Sequence, residues 1–250
     1  MAPYTVAQDV GGRSHQEDRY VAEEMERGYF FGVFDGHGGA EVSDMAATIA
    51  PQFFSSAFKK RNYRGCLRAM TRQLHETTKM LPSGASMSVV YIPKKGRYAY
   101  AAVLGDSPIL WHHKKKVCIS PDHNIRSNPV EAAAAAARGG QIVNGYLMDP
   151  QAGASVGLQM ARALGNAALD RVLAREPEIF KFPVSPKKPV IIASDGLLDP
   201  GHRVERQAEQ IEILYSLARS GGEADVLLQD ALSRQTHDNV TVIVYRHAAG

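Results

Sequence analysis

Phe30-Phe31-Gly32-Val33-Phe34-Asp35-Gly36-His37-Gly38-Gly39 runs a short apolar segment into an acid set in a glycine turn, and that form recurs along the chain. Val190-Ile191-Ile192-Ala193 ends in Ser194-Asp195-Gly196, and Ala101-Ala102-Val103-Leu104 ends in Gly105-Asp106-Ser107. Asp238-Asn239 leads into Val240-Thr241-Val242-Ile243-Val244, and Glu17-Asp18 follows the strand-like Tyr4 to Val10. Apolar runs rich in Val, Ile and Phe, punctuated by Gly and Asp, read as buried strands. If neighbouring strands are antiparallel, carboxylates after three runs and before a fourth gather at one edge of a sheet. Any single Asp-Gly after a strand is explained as well by a hairpin turn. A gathered set of carboxylates repels itself, however, and is stable mainly when a hard divalent cation neutralises it. The pattern points to a metal centre.

Outward from these strands, apolar spacing places the helices. Val42, Met45, Ala46, Ile49 and Phe53 recur at helical period after the Gly38-Gly39 turn, with Pro51 expected to kink or restart the helix. Leu67, Met70, Leu74 and Leu81 mark a second helix, Val204 to Ala218 a third, and Ala224 to Ala231 a fourth. Asn128-Pro129 before the alanine run 132–137 and Arg138-Gly139-Gly140 after it are helix start and stop signals. Between the second and third helices come strand candidates at 86–92, 98–104, 109–112 and 116–119. Strands and helices in blocks favour an α+β fold with antiparallel sheets over a doubly wound one.

A chain of 250 residues suffices for one substantial core, and the expectation is a single domain over 1–250. Lys plus Arg number 29 against 26 Asp plus Glu, a balance of +3 that gives no footing for nucleic acid. Lys114-Lys115-Lys116, the densest basic run, reads as a solvated hairpin tip. Two cysteines, Cys66 and Cys118, make no disulfide framework and fit a reducing, cytoplasmic compartment. Residues 1–10 carry no signal-peptide core, and no apolar stretch approaches the ~20 residues of a membrane helix.

Several catalytic signatures fail on inspection. Cys66 and Arg72 have the spacing of a cysteine-phosphatase loop, yet Leu67 to Thr71 holds no glycine and lies on an amphipathic helix. His75-Glu76-Thr77-Thr78-Lys79 puts a lysine where a zinc protease needs its second histidine. No Cys-x-x-Cys pair exists, and Asp35-Gly36-His37-Gly38-Gly39 lacks both the Walker lysine and dinucleotide glycine spacing.

Taken in order, the motifs resemble the metal-dependent protein phosphatases of type 2C over nearly the whole chain. The elements are Gly12-Arg13-Ser14-His15-Gln16-Glu17-Asp18, Phe34-Asp35-Gly36-His37-Gly38-Gly39, Ser83-Gly84-Ala85-Ser86, Gly105-Asp106-Ser107, Asp122-His123, Asn144-Gly145, Arg162-Ala163-Leu164-Gly165, Ser194-Asp195-Gly196 and His237-Asp238-Asn239. The resemblance implies two stacked antiparallel sheets flanked by helices, an α-β-β-α sandwich. It makes Asp35 the bridge between two Mg²⁺ or Mn²⁺ ions, with Asp195 and Asp238 on one and Glu17 and the Gly36 carbonyl on the other. It assigns a third, weaker ion to Asp106 with Asp195. All-oxygen ligation agrees with Mg²⁺ or Mn²⁺ rather than zinc. The implied reaction is in-line attack of a metal-bridging hydroxide on protein phosphoserine or phosphothreonine, with no covalent intermediate. Arg13 matches the phosphate-binding arginine and His37 the proposed general acid. Asp18 and Asn239 resemble residues that hold metal-bound waters, whereas Asp199 reads as a helix cap.

Departures from the family pattern are Pro108 after Gly-Asp-Ser, Asn166 in place of an aspartate, Met87 at a small-residue position, and a longer link before Arg162. They bear not on the reaction but on the substrate flap, a segment at about 140–180. Within it, Met148 to Ala154 shows neither helical nor strand period, and the stretch Tyr146 to Gly157 is the expected seat of specificity. Two other readings stay open: a binding module of the same fold without turnover, and a phosphatase of small phosphoesters. The expected protein is a cytoplasmic signalling monomer that acts on phosphoproteins.

Overall fold

The computed structural model describes residues 2–58, 62–152, 157–199 and 204–247. From the amino end it lays down strands β1 (Tyr4–Asp9), β2 (Arg19–Met25) and β3 (Gly28–Phe34), then helices α1 (Glu41–Ser56) and α2 (Tyr63–Thr78). A meander follows: β4 (Met87–Pro93), β5 (Tyr98–Leu104), β6 (Ile109–His113) and β7 (Lys116–Ile119). Helix α3 (Pro129–Ala137) leads into a hairpin of β8 (Gln141–Val143) and β9 (Tyr146–Met148). The chain closes with β10 (Glu178–Pro183), β11 (Val190–Ala193), α4 (Val204–Arg219), α5 (Ala224–Ser233) and β12 (Val240–Tyr245).

Two five-stranded sheets result, ordered β1-β12-β11-β6-β7 and β10-β5-β4-β3-β2, and every ladder in them is antiparallel. Alternation along β3 explains the layering, because successive side chains leave a strand on opposite faces. Phe30 and Phe34 point outward into a cluster with Phe54, Leu67, Met70 and Leu74 of α1 and α2. Phe31 and Val33 point inward, onto Ile192, Ile243 and Tyr245 of the other sheet. Strand β12 behaves likewise: Val242 and Val244 meet Leu214 and Leu227 of α4 and α5, while Ile243 faces the sheet interface. Each such fully buried side chain contributes roughly 1.5–3 kcal/mol. The layers are therefore helix, sheet, sheet, helix, as the resemblance implied.

Local expectations fare unevenly. Asn128 caps α3 through Oδ1, which accepts from Val130 N and Glu131 N, and Pro129 takes the first helical position. Lys114, with φ 56°, turns the basic hairpin tip between β6 and β7. Pro51 neither breaks nor restarts α1, which continues unbroken from Glu41 to Ser56. The proline forfeits one backbone bond, but Ala46, Ala50 and Phe54 anchor the helix on both sides of it in the buried cluster. Leu81 falls beyond the end of α2 and packs on the same cluster from the following turn. Among the described residues no helix is long and apolar enough to cross a membrane.

Candidate metal centre

Antiparallel pairing puts the carboxyl ends of β3, β5 and β11 and the amino ends of β4 and β12 at one edge of the sandwich. Val33 lies opposite Ser88, Met87 opposite Leu104, and Ala193 opposite Val242. Asp35, Asp106, Asp195 and Asp238 occupy that edge, each immediately or nearly beyond its strand. Two glycines allow the close approach. A Cβ on Gly36 would lie 2.4 Å from the Glu17 carbonyl oxygen, and one on Gly196 would lie 2.0 Å from that of Asn239. The Asp195 turn thus sits directly on the Asp238-Asn239 loop, and the Asp35 loop on Glu17.

Asp35 and Asp195 form the floor. Each keeps a little surface open at the edge, yet protein atoms crowd both from the other sides, and the two carboxyls lie within hydrogen-bond reach of each other. Burial holds Asp35 well above the ordinary carboxylate range, reinforced by the charges of Asp195, Asp18, Asp106 and Asp238. Asp195 is raised in the same way, by burial and then by Asp106, Asp238 and Asp18. Asp18, only 1% exposed, is pushed up to about 6, chiefly by burial, and accepts a 2.8 Å bond from Thr241 Oγ1. Five carboxylates thus act on one another across this edge.

The remaining residues ring this floor. Glu17 Oε1 accepts from Gly39 N at 2.8 Å, which closes the loop that carries Gly36 and His37. Arg13 donates from Nη2 to Asp238 Oδ2 at 2.7 Å and from Nε to the His237 carbonyl at 3.1 Å. Asp106 Oδ2 accepts from Asn124 Nδ2 at 3.0 Å. His37 Nε2 lies 2.9 Å from Asn166 Oδ1, while Nδ1 is buried and meets no partner. Burial lowers the His37 pKa against the pull of Asn166 and Glu17.

Two residues singled out in the sequence bond to backbone at this edge. Asn239 does not turn its amide toward this floor: Oδ1 accepts from Glu17 N at 2.8 Å, and Nδ2 donates to the carbonyls of Val10 and His15, both at 2.9 Å. It clamps the backbone that presents Arg13 and Glu17. Asp199 accepts from His237 N at 2.6 Å and so steadies the turn that delivers Asp238. The cap read for Asp199 falls on residues 200–203, outside the described residues. In the flap-like segment, Tyr146–Met148 is a strand paired with Gln141–Val143 through a turn at Asn144 and Gly145, both at positive φ. Asp149 is then pinned by a two-pronged ion pair to Arg171. The stretch is structured at its start, and its Gly153-Ala154 portion lies outside the described residues.

Asn124 and Asn166 were missed in the sequence. Asn124 directly follows the Asp122-His123 pair, and Asn166 stands out only as a departure from the family pattern. Arg162 of the Arg-Ala-Leu-Gly motif is structural, forked onto Glu131 of α3. Cys66 is buried on α2, with Sγ toward the Ala57 carbonyl, as expected of a packing residue.

A divalent cation fits this set. The side chains offer oxygen donors alone, and they raise one another's pKa under burial, with Arg13 paired to Asp238 at the rim. Among the described residues no three of these groups converge as a finished cage. The fit rests on donor chemistry and on the crowding of these carboxylates at one edge.

Comparison with known proteins gives one consistent answer. The profile of the family described as Protein phosphatase 2C matches residues 10–240. Probable protein phosphatase 2C 44 of Oryza sativa subsp. japonica is 27% identical over 252 residues, covering 95% of this chain and 76% of that protein. Probable protein phosphatase 2C 76 of Arabidopsis thaliana is 30% identical over 254 residues, covering 95% of this chain, which spans only 57% of the relative. In structure, the serine-threonine phosphatase 2C from Toxoplasma gondii superposes with a TM-score of 0.77 at 20% identity, over 97% of this chain and 94% of that one. The catalytic domain of the phosphatase PstP, solved in complex with two manganese ions, gives a TM-score of 0.61 at 20% identity, over 97% and 96%.

Proposed function

The chain belongs to the protein phosphatase 2C family, and from that premise we propose that it hydrolyses phosphoserine and phosphothreonine in proteins at a Mg²⁺ or Mn²⁺ centre on the Asp35–Asp195 floor. The observation that carries this reading is the gathering of Asp35 and Asp195, within hydrogen-bond reach of each other, with Asp106, Asp18 and Asp238 at one sheet edge. Manganese in the structural neighbour PstP supports the choice of ion.

In this reading Asp35, Asp195 and Asp238 would hold one ion, Asp35, Glu17 and the Gly36 carbonyl would hold a second, and Asp106 with Asp195 would hold a third. Bound ions would supply an activated water near neutral pH and offset charge on the phosphoryl group. Arg13 binds the phosphoryl oxygens as a planar two-pronged donor, held ready at the rim by Asp238 and the His237 carbonyl. His37 delivers a proton to the leaving alkoxide. Its Nε2 is tied to Asn166 Oδ1, which orients the ring. The phosphoryl group passes to water directly, with no nucleophile of the chain taking it. Substrates are phosphoproteins, met by a monomer in the cytoplasm.

The test is turnover of p-nitrophenyl phosphate with Mn²⁺ and then with excess EDTA, followed by phosphopeptides against small phosphate esters. Mn²⁺-dependent turnover with higher kcat/KM on phosphopeptides is expected. Absence of any turnover would favour a binding module, and preference for small esters would place the chemistry on another substrate class.

A further inference from the structure

A cleft of about 260 Å³ lies on the Asp106 side of the carboxylate floor, lined among others by Asp106, Asp195, Pro121, Leu198, Gln159 and Arg126. Arg126 is the only cation among the described residues that line it. Its position is built from the centre outward through Asn124. Asn124 Nδ2 donates to Asp106 Oδ2 at 3.0 Å, and Asn124 Oδ1 accepts from Arg126 N at 3.0 Å. One side chain thus ties a candidate metal ligand to the backbone of the arginine. The strand-like link between Ile125 N and the Gln159 carbonyl, 2.7 Å, fixes the same turn.

The guanidinium is held by groups that leave its charge unspent. Nε donates to the Gly145 carbonyl at 3.3 Å, and Cζ lies 5.0 Å from the centre of the Tyr146 ring. Among the described residues Arg126 forms no ion pair, although its neighbours Arg138, Arg162, Arg171 and Arg175 are each engaged with a carboxylate or with several carbonyls. The nearest carboxylate in sequence, Asp122, is occupied by Asn124 N and Ser127 Oγ. An arginine that is exposed, oriented by a ring and a carbonyl, and lacks a counter-charge is set to bind an anion in two-pronged fashion. The volume accommodates one or two side chains of a bound chain, less than a typical small-molecule pocket.

We propose that Arg126 determines specificity by pairing with a carboxylate or phosphate on the substrate chain beside the phosphorylated residue. This rests on the protein-phosphatase reading above. Arg13 would hold the phosphate that is cleaved, on the Asp238 side, and Arg126 the flanking anion, on the Asp106 side.

The test compares kcat/KM on a neutral phosphopeptide with a set in which one aspartate is walked through the flanking positions. A parallel set carries a non-hydrolysable phosphonate in place of the aspartate. The wild-type enzyme should favour at least one anionic position by about tenfold, through KM, which corresponds to about 1.4 kcal/mol. Arg126→Gln should bring that ratio to one, and Arg126→Lys should restore part of it. A response to both anions assigns the site to negative charge in general; a response to the phosphonate alone assigns it to a second phosphate. A ratio that stays above one in Arg126→Gln, or that never departs from one in the wild type, overturns the proposal while leaving the protein-phosphatase reading intact. Inert phosphopeptides beside active p-nitrophenyl phosphate turnover would instead overturn that reading.

Discussion

Asn239→Ala separates two roles that one residue could have at this edge. A residue that holds metal-bound water can be lost with the metal-free fold intact. The geometry makes Asn239 a clamp instead, since its side chain, 4% exposed, makes three hydrogen bonds to the backbone at Val10, His15 and Glu17. Each bond is worth about 1 kcal/mol net, so the three together cost about 3 kcal/mol. For a chain of this size that lowers the melting temperature by about 6–12 °C. The assay is thermal unfolding by circular dichroism in excess EDTA, so that metal makes no contribution. Metal affinity should weaken in parallel, because the loop from Val10 to Glu17 loses its anchor. An unchanged melting temperature in EDTA, with turnover reduced, would refute the clamp and return Asn239 to the water-holding role.

Other perturbations follow from the same geometry. Arg13→Ala should raise KM about tenfold with kcat nearly unchanged, because it removes phosphate binding and not chemistry. His37→Ala should lower kcat by ~10² on alkyl phosphoesters and far less on p-nitrophenyl phosphate, whose leaving group needs no proton; equal losses on both would remove His37 from the acid role. In the folded chain Asp18 keeps its proton up to about pH 6, against 3.8 ordinarily. The metal-free native state therefore binds more protons in that window, and its stability falls as pH rises from about 4 to 6, by roughly 3 kcal/mol for this group. Urea unfolding in EDTA should show that fall reduced in Asp18→Asn.

How much of this was legible in the sequence depended on range. Phe30 and Phe31 already state the two faces of β3, since alternation is local, and the four layers follow from it. The acids at strand ends were readable for the same reason: each sits within a few residues of its own apolar run. The backbone partners of Asn239 were not legible because they lie 222 to 229 positions away, and nothing in His237-Asp238-Asn239 reveals that the amide turns toward the first strand's exit loop. The bond from His237 N to Asp199, across 38 positions, was equally out of reach. The restart read at Pro51 failed because a local rule was overridden by burial of the face around it. The segment after Asn144-Gly145 lacked period because β9 is only three residues long, too short to display alternation, and because Asp149 is fixed by the distant Arg171. Asn124 escaped notice since its value lies in joining Asp106 to Arg126, two residues in different turns.

Titration of Mn²⁺ into the protein by calorimetry, wild type against Asp35→Ala, with p-nitrophenyl phosphate turnover measured on the same samples, tests the metal centre most directly. Wild-type protein should bind Mn²⁺ and turn over only when loaded. Asp35→Ala should lose both while remaining folded in EDTA, since removing one of several repelling buried carboxylates relieves the metal-free state. Undiminished Mn²⁺ binding by Asp35→Ala, or full wild-type turnover in EDTA, would contradict the account.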